Sequence, residues 1–150
     1  MADESKVWFI TGASSGLGRA FAEHALSVGH RVAVTARNAA KLEAIARMDP
    51  ARVLALALDV NDPARVRVVA DEALAHFGRV DVLVNNAGYG IVGAVEETPE
   101  SELRAQMETN FFGAVSVTRA FLPTFREQRS GAIVNISSLG GQLSVAGFGA

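Results

Sequence analysis

Hydrophobic and polar positions follow one another in blocks that predict strands and helices in turn. Predominantly apolar runs at 7–10, 32–34, 53–58, 80–84 and 132–136 each predict a strand, the last two with one polar residue each, and apolar residues between the runs recur at helical spacing. Strands alternating with helices favour a parallel sheet with right-handed crossovers. The third run is apolar throughout, which is typical of a strand covered on both faces. The expected fold class is therefore α/β.

The first predicted helix begins at Leu17 and ends near Val28, with Ser15 as its cap and Gly29 as its stop. Its expected apolar stripe is Leu17, Phe21, Ala25 and Val28. A second helical segment covers 39–48, and a third runs to Phe77. That third helix has Asn61 or Asp62 as cap and Pro63 in its first turn, and it stops before Gly78.

A long fourth helix is predicted to begin at Thr98-Pro99-Glu100 and to bend or end at Pro123. Phe111 and Phe112 are expected to pack in the core. Asparagine forms helices poorly, so Asn110 on the apolar stripe indicates either a buried structural hydrogen bond or a further role. The stripe is Leu103, Met107, Asn110, Phe111 and Ala114.

Composition limits the function classes. A chain of 150 residues, 49% hydrophobic and 20% charged, suits one globular domain over residues 1–150. The net charge of -2 gives no support to nucleic-acid or anionic-membrane binding, and the three scattered histidines indicate no metal site. Without cysteine, a signal-like start or a long apolar run, the expected location is the cytoplasm.

Polar and glycine residues cluster where the five predicted strands end. In an open parallel sheet these ends lie along one edge, where ligands bind. The alternative is ordinary turn chemistry at each end. The clusters are 11–18, Arg37-Asn38, Asp59, Asn85 to Gly88, and Ser137-Ser138.

The first of these clusters is a glycine turn between a strand and a helix. Glycines at 12, 16 and 18 allow backbone N–H groups to approach an anion, and the helix dipole favours negative charge at the same point. The turn therefore predicts a phosphate site, most simply for a dinucleotide pyrophosphate. Its spacing differs from G-x-G-x-x-G, and a ligand-free turn is the alternative.

Taken in order, these motifs resemble the short-chain dehydrogenase/reductase family. They are Thr11-Gly12-x-x-x-Gly16-x-Gly18, Asp59, Asn86-Ala87-Gly88, Asn110 and the run Ile133-Val134-Asn135-Ile136-Ser137-Ser138. The resemblance covers essentially the whole chain. It implies a Rossmann-type doubly wound parallel sheet, cut after the fifth strand.

The resemblance also implies which residues bind the cofactor. The pyrophosphate group is expected at Gly12, Ser14, Ser15, Gly16, Leu17 and Gly18; Asp59 and Val60 flank the adenine, and Asn86, Ala87 and Gly88 pass near the riboses. From the residues alone, Asp59 could equally be the start of a helix. The segment 85–88 could equally be a turn that stabilises the sheet.

The second strand ends in Ala36-Arg37, where NAD-preferring relatives look to have an acidic residue in place of Ala36. The Arg37 guanidinium could pair with a 2′-phosphate and lie over the adenine. NADP is therefore the expected cofactor in preference to NAD. The alternative is a solvated arginine.

For the chemistry, the resemblance assigns Ser138 as the group that polarises the substrate carbonyl. It also assigns the Asn110 backbone carbonyl to a water in a proton relay. Two serines that merely end a strand are the alternative for Ser138. The implied reaction is hydride transfer between nicotinamide and a small carbonyl or alcohol substrate.

The family's proton donor, a tyrosine followed four residues later by a lysine, is not in this sequence. The single tyrosine is Tyr89, and no lysine follows Lys41. We therefore expect the chain to be the front part of a longer, homo-oligomeric enzyme. Ending after the fifth strand would otherwise expose an apolar sheet edge. The alternatives are a noncatalytic dinucleotide-binding sensor and, less favoured by the glycine spacing, a sugar-nucleotide epimerase or dehydratase.

Overall fold

A five-stranded parallel sheet with helices on both faces organises the chain. The computed structural model describes residues 5–143 and 145–148, so the first four residues of the polar amino terminus lie outside this range. The strand order is β3-β2-β1-β4-β5. The strands are β1 Val7–Ile10, β2 Arg31–Ala36, β3 Val53–Ala57, β4 Val82–Asn85 and β5 Ala132–Asn135.

Five α-helices connect these strands. They are α1 Gly16–Ser27, α2 Glu43–Met48, α3 Pro63–Phe77, α4 Glu100–Met107 and α5 Ala114–Gln128. A π-helical segment, Glu108–Gly113, joins α4 to α5 and is called the π turn below. Short 3₁₀ turns occur at Ala39–Leu42, Val95–Glu97 and Leu139–Gly141.

Strand periodicity divides the core into two layers. Val7 and Phe9 of β1 point to one face, where they join a cluster containing residues of α3 and α5. Ile10 points to the other face, into a cluster with residues of α1 and α2. The rings of Phe9 and Phe121 lie 4.7 Å apart, and burying each contributes about 1.5–3 kcal/mol. The predicted α/β class and parallel sheet are confirmed.

The caps at the start and end of α3 also agree with the sequence. Asp62 accepts hydrogen bonds from the N–H groups of Ala64 and Arg65, and Gly78 ends the helix with φ = 76°. Ser15 stands at the cap position of α1, but its side chain makes no capping bond. The predicted stripe of α1 is partly wrong, because Leu17 and Val28 are exposed and the buried positions are Gly18, Ala22, Ala25 and Leu26.

A helix end at Pro123, one of the two predicted effects of this proline, is wrong, since α5 continues through it to Gln128; the bend predicted as the other effect stays a prediction. Phe121 and Phe125, on either side of the proline, are buried against the sheet. Their burial outweighs the one hydrogen bond that proline cannot donate. The irregularity lies earlier, at the π turn.

The expected apolar stripe on α4 and the π turn is not buried. Phe111 and Phe112 are each 52% exposed and contact each other edge to face, and Met107 is also exposed. Among the described residues, no element covers this face. The hydrophobic pattern therefore identified apolar positions that no other element packs against.

Both outer strands depart from the simple strand pattern. β3 lies at the sheet edge, and Ala57 at its end is exposed, so its apolar run does not indicate complete cover. All four residues of β5 at the opposite edge are exposed, as expected for a sheet left open there. Within residues 5–143 and 145–148, no helix has the length and apolarity needed to cross a membrane.

Candidate functional site

The glycine turn after β1 presents backbone amides at the carboxyl edge of the sheet. Gly12 has φ = 66° and Gly16 has φ = 56°, a left-handed conformation that favours glycine. The first amide-to-carbonyl bond of α1 runs from Arg19 to Ser15, at 3.3 Å. The N–H groups of Gly16, Leu17 and Gly18 therefore have no acceptor within the helix, and they point with its dipole toward the same space.

Gly12 and Gly18 are needed for the close approach of the glycine turn and α1 to the loop that follows β4. A Cβ at Gly12 would lie 2.9 Å from Ala87 Cα, on the loop that follows β4. A Cβ at Gly18 would overlap the Asn86 amide and come within 2.6 Å of the Gly12 carbonyl oxygen. Gly18 is buried beneath the turn, so it allows the helix to pack against the strand ends and does not itself line the cleft.

Thr11 and Asn86 fasten the two loops to each other. The Thr11 hydroxyl oxygen accepts from the N–H groups of Asn86 (2.9 Å) and Ala87 (3.0 Å). The Asn86 amide donates back to the carbonyls of Thr11 (2.9 Å) and Gly12 (3.1 Å). The proposed turn-stabilising role of segment 85–88 is therefore present. Half-buried Ala87 and exposed Gly88 also border the cleft.

Two further loops form the wall of the cleft beyond β2 and β3. Buried Ala36 ends β2 and exposed Arg37 follows it, and Asp59 and Val60 follow β3. Among the described residues, no carboxylate pairs with Arg37. Asp59 Oδ1 accepts from Asn61 N–H at 3.0 Å, so this carboxylate shapes its own loop, while Asp62 caps α3.

Asn110 does not make the buried hydrogen bond that its stripe suggested. It is exposed, and both ends of its amide bond the backbone of Tyr89: Oδ1 accepts from Tyr89 N–H (3.0 Å), and Nδ2 donates to Tyr89 O (2.8 Å). A Cβ at Gly88 would lie 3.0 Å from Asn110 Oδ1. The Asn110 side chain thus holds the loop after β4 against the π turn.

Ser138 follows β5 and begins a short 3₁₀ turn. Its Oγ accepts a hydrogen bond from Gly140 N–H at 3.1 Å. Because the hydroxyl oxygen accepts this bond, the hydroxyl proton stays available for donation, and the bond polarises the hydroxyl so that it is a better donor. Asn85 ties this edge of the sheet together, because its amide donates to Asn135 Oδ1 (2.8 Å) and Thr118 Oγ1 (2.9 Å).

A cleft of about 430 Å³ brings the cofactor candidates together. Eleven of the twelve predicted residues line it, and Gly18 is the exception; Ser138 and Asn110 are not in the lining. The other four lining residues, Ala36, Leu58, Tyr89 and Thr109, were not among the predicted cofactor residues. Leu58 ends an apolar run that is typical of a protein core, and Thr109 directly precedes Asn110. The lining comprises Gly12, Ser14, Ser15, Gly16, Leu17, Ala36, Arg37, Leu58, Asp59, Val60, Asn86, Ala87, Gly88, Tyr89 and Thr109.

The parallel sheet, the glycine turn and the cleft at the strand ends define a Rossmann-type domain. The sequence profile for short chain dehydrogenase matches residues 6–150, and the chain belongs to that family. It is 44% identical over 147 residues to oxidoreductase BOA17 of Botryotinia fuckeliana, covering 97% of this chain and 54% of that protein. The chain spans about half the length of the curated relatives it matches.

Solved structures agree on fold and family. A short-chain dehydrogenase from Streptomyces avermitilis is 55% identical, with a TM-score of 0.93 over 99% of this chain and 54% of that one. A metagenomic short-chain oxidoreductase in complex with NADP is 37% identical (TM-score 0.88, 95% and 66% covered). A Burkholderia phymatum family member in complex with NAD is 36% identical (TM-score 0.90, 97% and 53% covered).

Replacing Thr11 by valine tests the junction between the turn and the loop after β4. Valine keeps the shape of threonine but leaves the N–H groups of Asn86 and Ala87 without their acceptor. We expect the free energy of unfolding, measured by urea denaturation, to fall by about 1–3 kcal/mol. Thr11→Ser retains the oxygen and should lose less; equal losses for the two variants would contradict the role given to the hydroxyl.

Proposed function

We propose that this chain is the dinucleotide-binding part of an NADP(H)-dependent oxidoreductase that transfers hydride between nicotinamide and a carbonyl or alcohol substrate. The observation that carries the proposal is the glycine turn and its fit to a pyrophosphate. Gly16 takes a left-handed φ of 56° with open space beside it, and three amides of α1 lack helical acceptors at the same place. Solved relatives in complex with NADP and with NAD support a nicotinamide dinucleotide as the ligand.

The wall after β2 favours NADP. Ala36 offers no carboxylate to the adenosine ribose hydroxyls, and Arg37 lines the cleft as an exposed cation. A guanidinium in this position can pair bidentately with a 2′-phosphate. Asp59, the other charged group of the lining, follows β3 and is engaged by its own loop through Asn61.

For the chemistry, a bound nicotinamide supplies the hydride donor or acceptor. The chain contributes a proton-bearing hydroxyl at Ser138, which Gly140 N–H orients from the acceptor side. Hydride addition to a carbonyl places negative charge on its oxygen, and a donor aimed there stabilises the transition state. Asn110 contributes by holding the loop at Tyr89 in place.

Proton transfer needs a group that this sequence does not contain. Tyr89 is its single tyrosine, lies in the loop after β4 and is held through its backbone; no lysine follows Lys41. We place the proton donor in the part of the enzyme outside this chain, a proposal supported by the chain's coverage of about half of its relatives. A dinucleotide-binding protein without catalysis is the second candidate, and the test on the full-length protein below distinguishes the two.

Replacing Arg37 by alanine tests the cofactor preference. Loss of a charge-assisted bond to a 2′-phosphate should weaken NADPH binding by roughly ten- to a hundredfold, while NADH binding changes much less. Isothermal titration of both cofactors measures the two effects. Arg47→Ala is the matched control, because that arginine is exposed and pairs with Glu43 away from the cleft. Equal losses for NADPH and NADH would refute the role of Arg37.

Replacing Ser138 by alanine tests the proposed reaction in the full-length protein. Once a carbonyl substrate has been found by screening with NADPH, we expect the variant's kcat to fall by roughly 10²–10³-fold, the effect of removing one donor to the developing oxyanion. NADPH affinity should stay near that of the unmodified protein. A variant with undiminished kcat would remove Ser138 from the chemistry, and a full-length protein that binds NADPH but reduces no carbonyl would favour the noncatalytic candidate.

A further inference from the structure

One hydrogen bond joins the loop after β3 to the π turn. Asn61 Nδ2 donates to Thr109 Oγ1 at 3.0 Å, across 48 positions of sequence. Thr109 lines the cleft, whereas Asn61 does not. Asn61 therefore contacts a residue of the cleft lining from outside the cleft.

Asn61 also acts on the other side of the same loop. Its backbone N–H donates to Asp59 Oδ1 at 3.0 Å, which fixes the carboxylate that borders the cleft. One residue thus fixes both Asp59, through its backbone, and Thr109, through its side chain.

A second contact brings the same two segments together. Val60 is buried and lies against Gly113 at the end of the π turn, where a Cβ would come within 2.6 Å of Val60 Cγ2. The glycine allows this approach, but an apolar contact by itself permits sliding. The hydrogen bond from Asn61 to Thr109 is directional, so it fixes the position of the π turn relative to the loop after β3.

The π turn carries this restraint to the opposite wall of the cleft. Thr109 is followed directly by Asn110, whose amide holds the backbone of Tyr89 in the loop after β4. Two successive residues of one turn therefore bond the loops after β3 and after β4. Both residues belong to the π turn, a type of segment that is frequently found at functional sites.

We propose that Asn61 is a positioning residue for the dinucleotide: through Thr109 it fixes the π turn and sets the separation of the two walls between which the adenosine half binds. This deepens the proposed function and rests on it. The role belongs to the side-chain amide, so a substitution that removes it should disturb binding although Asn61 does not touch the ligand.

Replacing Asn61 by alanine in the full-length protein tests the proposal. We expect NADPH affinity, measured by isothermal titration, to fall about three- to tenfold, the size of one neutral hydrogen bond. In a Thr109→Val background, Asn61→Ala should cause no further loss, whereas in a Thr109→Ser background it should still weaken binding. Gln128→Ala is the matched control, since it removes a side-chain amide that donates a hydrogen bond of 2.8 Å to Val80 O at the other end of the sheet. Unchanged affinity in Asn61→Ala, or additive losses in the double variant, would overturn the proposal.

Amide hydrogen exchange without cofactor separates this proposal from the proposed function. Asn61→Ala should speed exchange at Tyr89, whose N–H is held by Asn110, while Gln128→Ala should leave it unchanged. If exchange at Tyr89 does not respond, the coupling through the π turn is wrong even where NADPH binds. If the unmodified protein binds neither NADPH nor NADH, the proposed function fails, and the exchange result still decides the coupling.

Discussion

Close approach between the turn after β1 and the loop after β4 is the constraint on which the rest of the site depends. Gly12 faces Ala87 at a distance that excludes any side chain, and Gly18 leaves room for the Asn86 amide. The side chains of Thr11 and Asn86 then make four hydrogen bonds across the contact, two between these residues and one each with Ala87 and Gly12. Because these bonds satisfy the buried backbone groups of both loops, the amides at the start of α1 remain available to a ligand.

The remaining loops build on that fixed junction. The loops after β2 and β3 contribute the charged side chains Arg37 and Asp59, and the π turn ties the loop after β3 to the loop after β4. The proposed function thus assigns anion binding to the backbone, and discrimination between dinucleotides to side chains. This division has a physical reason: backbone amides recognise any phosphate, whereas a guanidinium at the strand end distinguishes a 2′-phosphate from a hydroxyl.

Much of this could be predicted because it is local. Apolar runs and caps such as Asp62 indicated the strands and helices, and glycine spacing and polar residues at strand ends, together with the family resemblance, indicated eleven residues of the cleft. Prediction failed where contacts between distant segments decide. The exposure of Phe111 depends on what covers α4. The helix α5 continues through Pro123 because the phenylalanines on either side of the proline are buried. The hydrogen bonds of Asn110 and Thr109 depend on a π turn that periodicity does not reveal.

The most direct test of the central claim is a crystal structure of the full-length protein with NADPH. The account predicts pyrophosphate oxygens about 2.7–3.2 Å from the amide nitrogens of the turn between Gly12 and Leu17, with the adenosine half beside Arg37 and between the loops after β3 and β4. A dinucleotide bound elsewhere, or a turn that stays empty at a saturating concentration of NADPH, would contradict it.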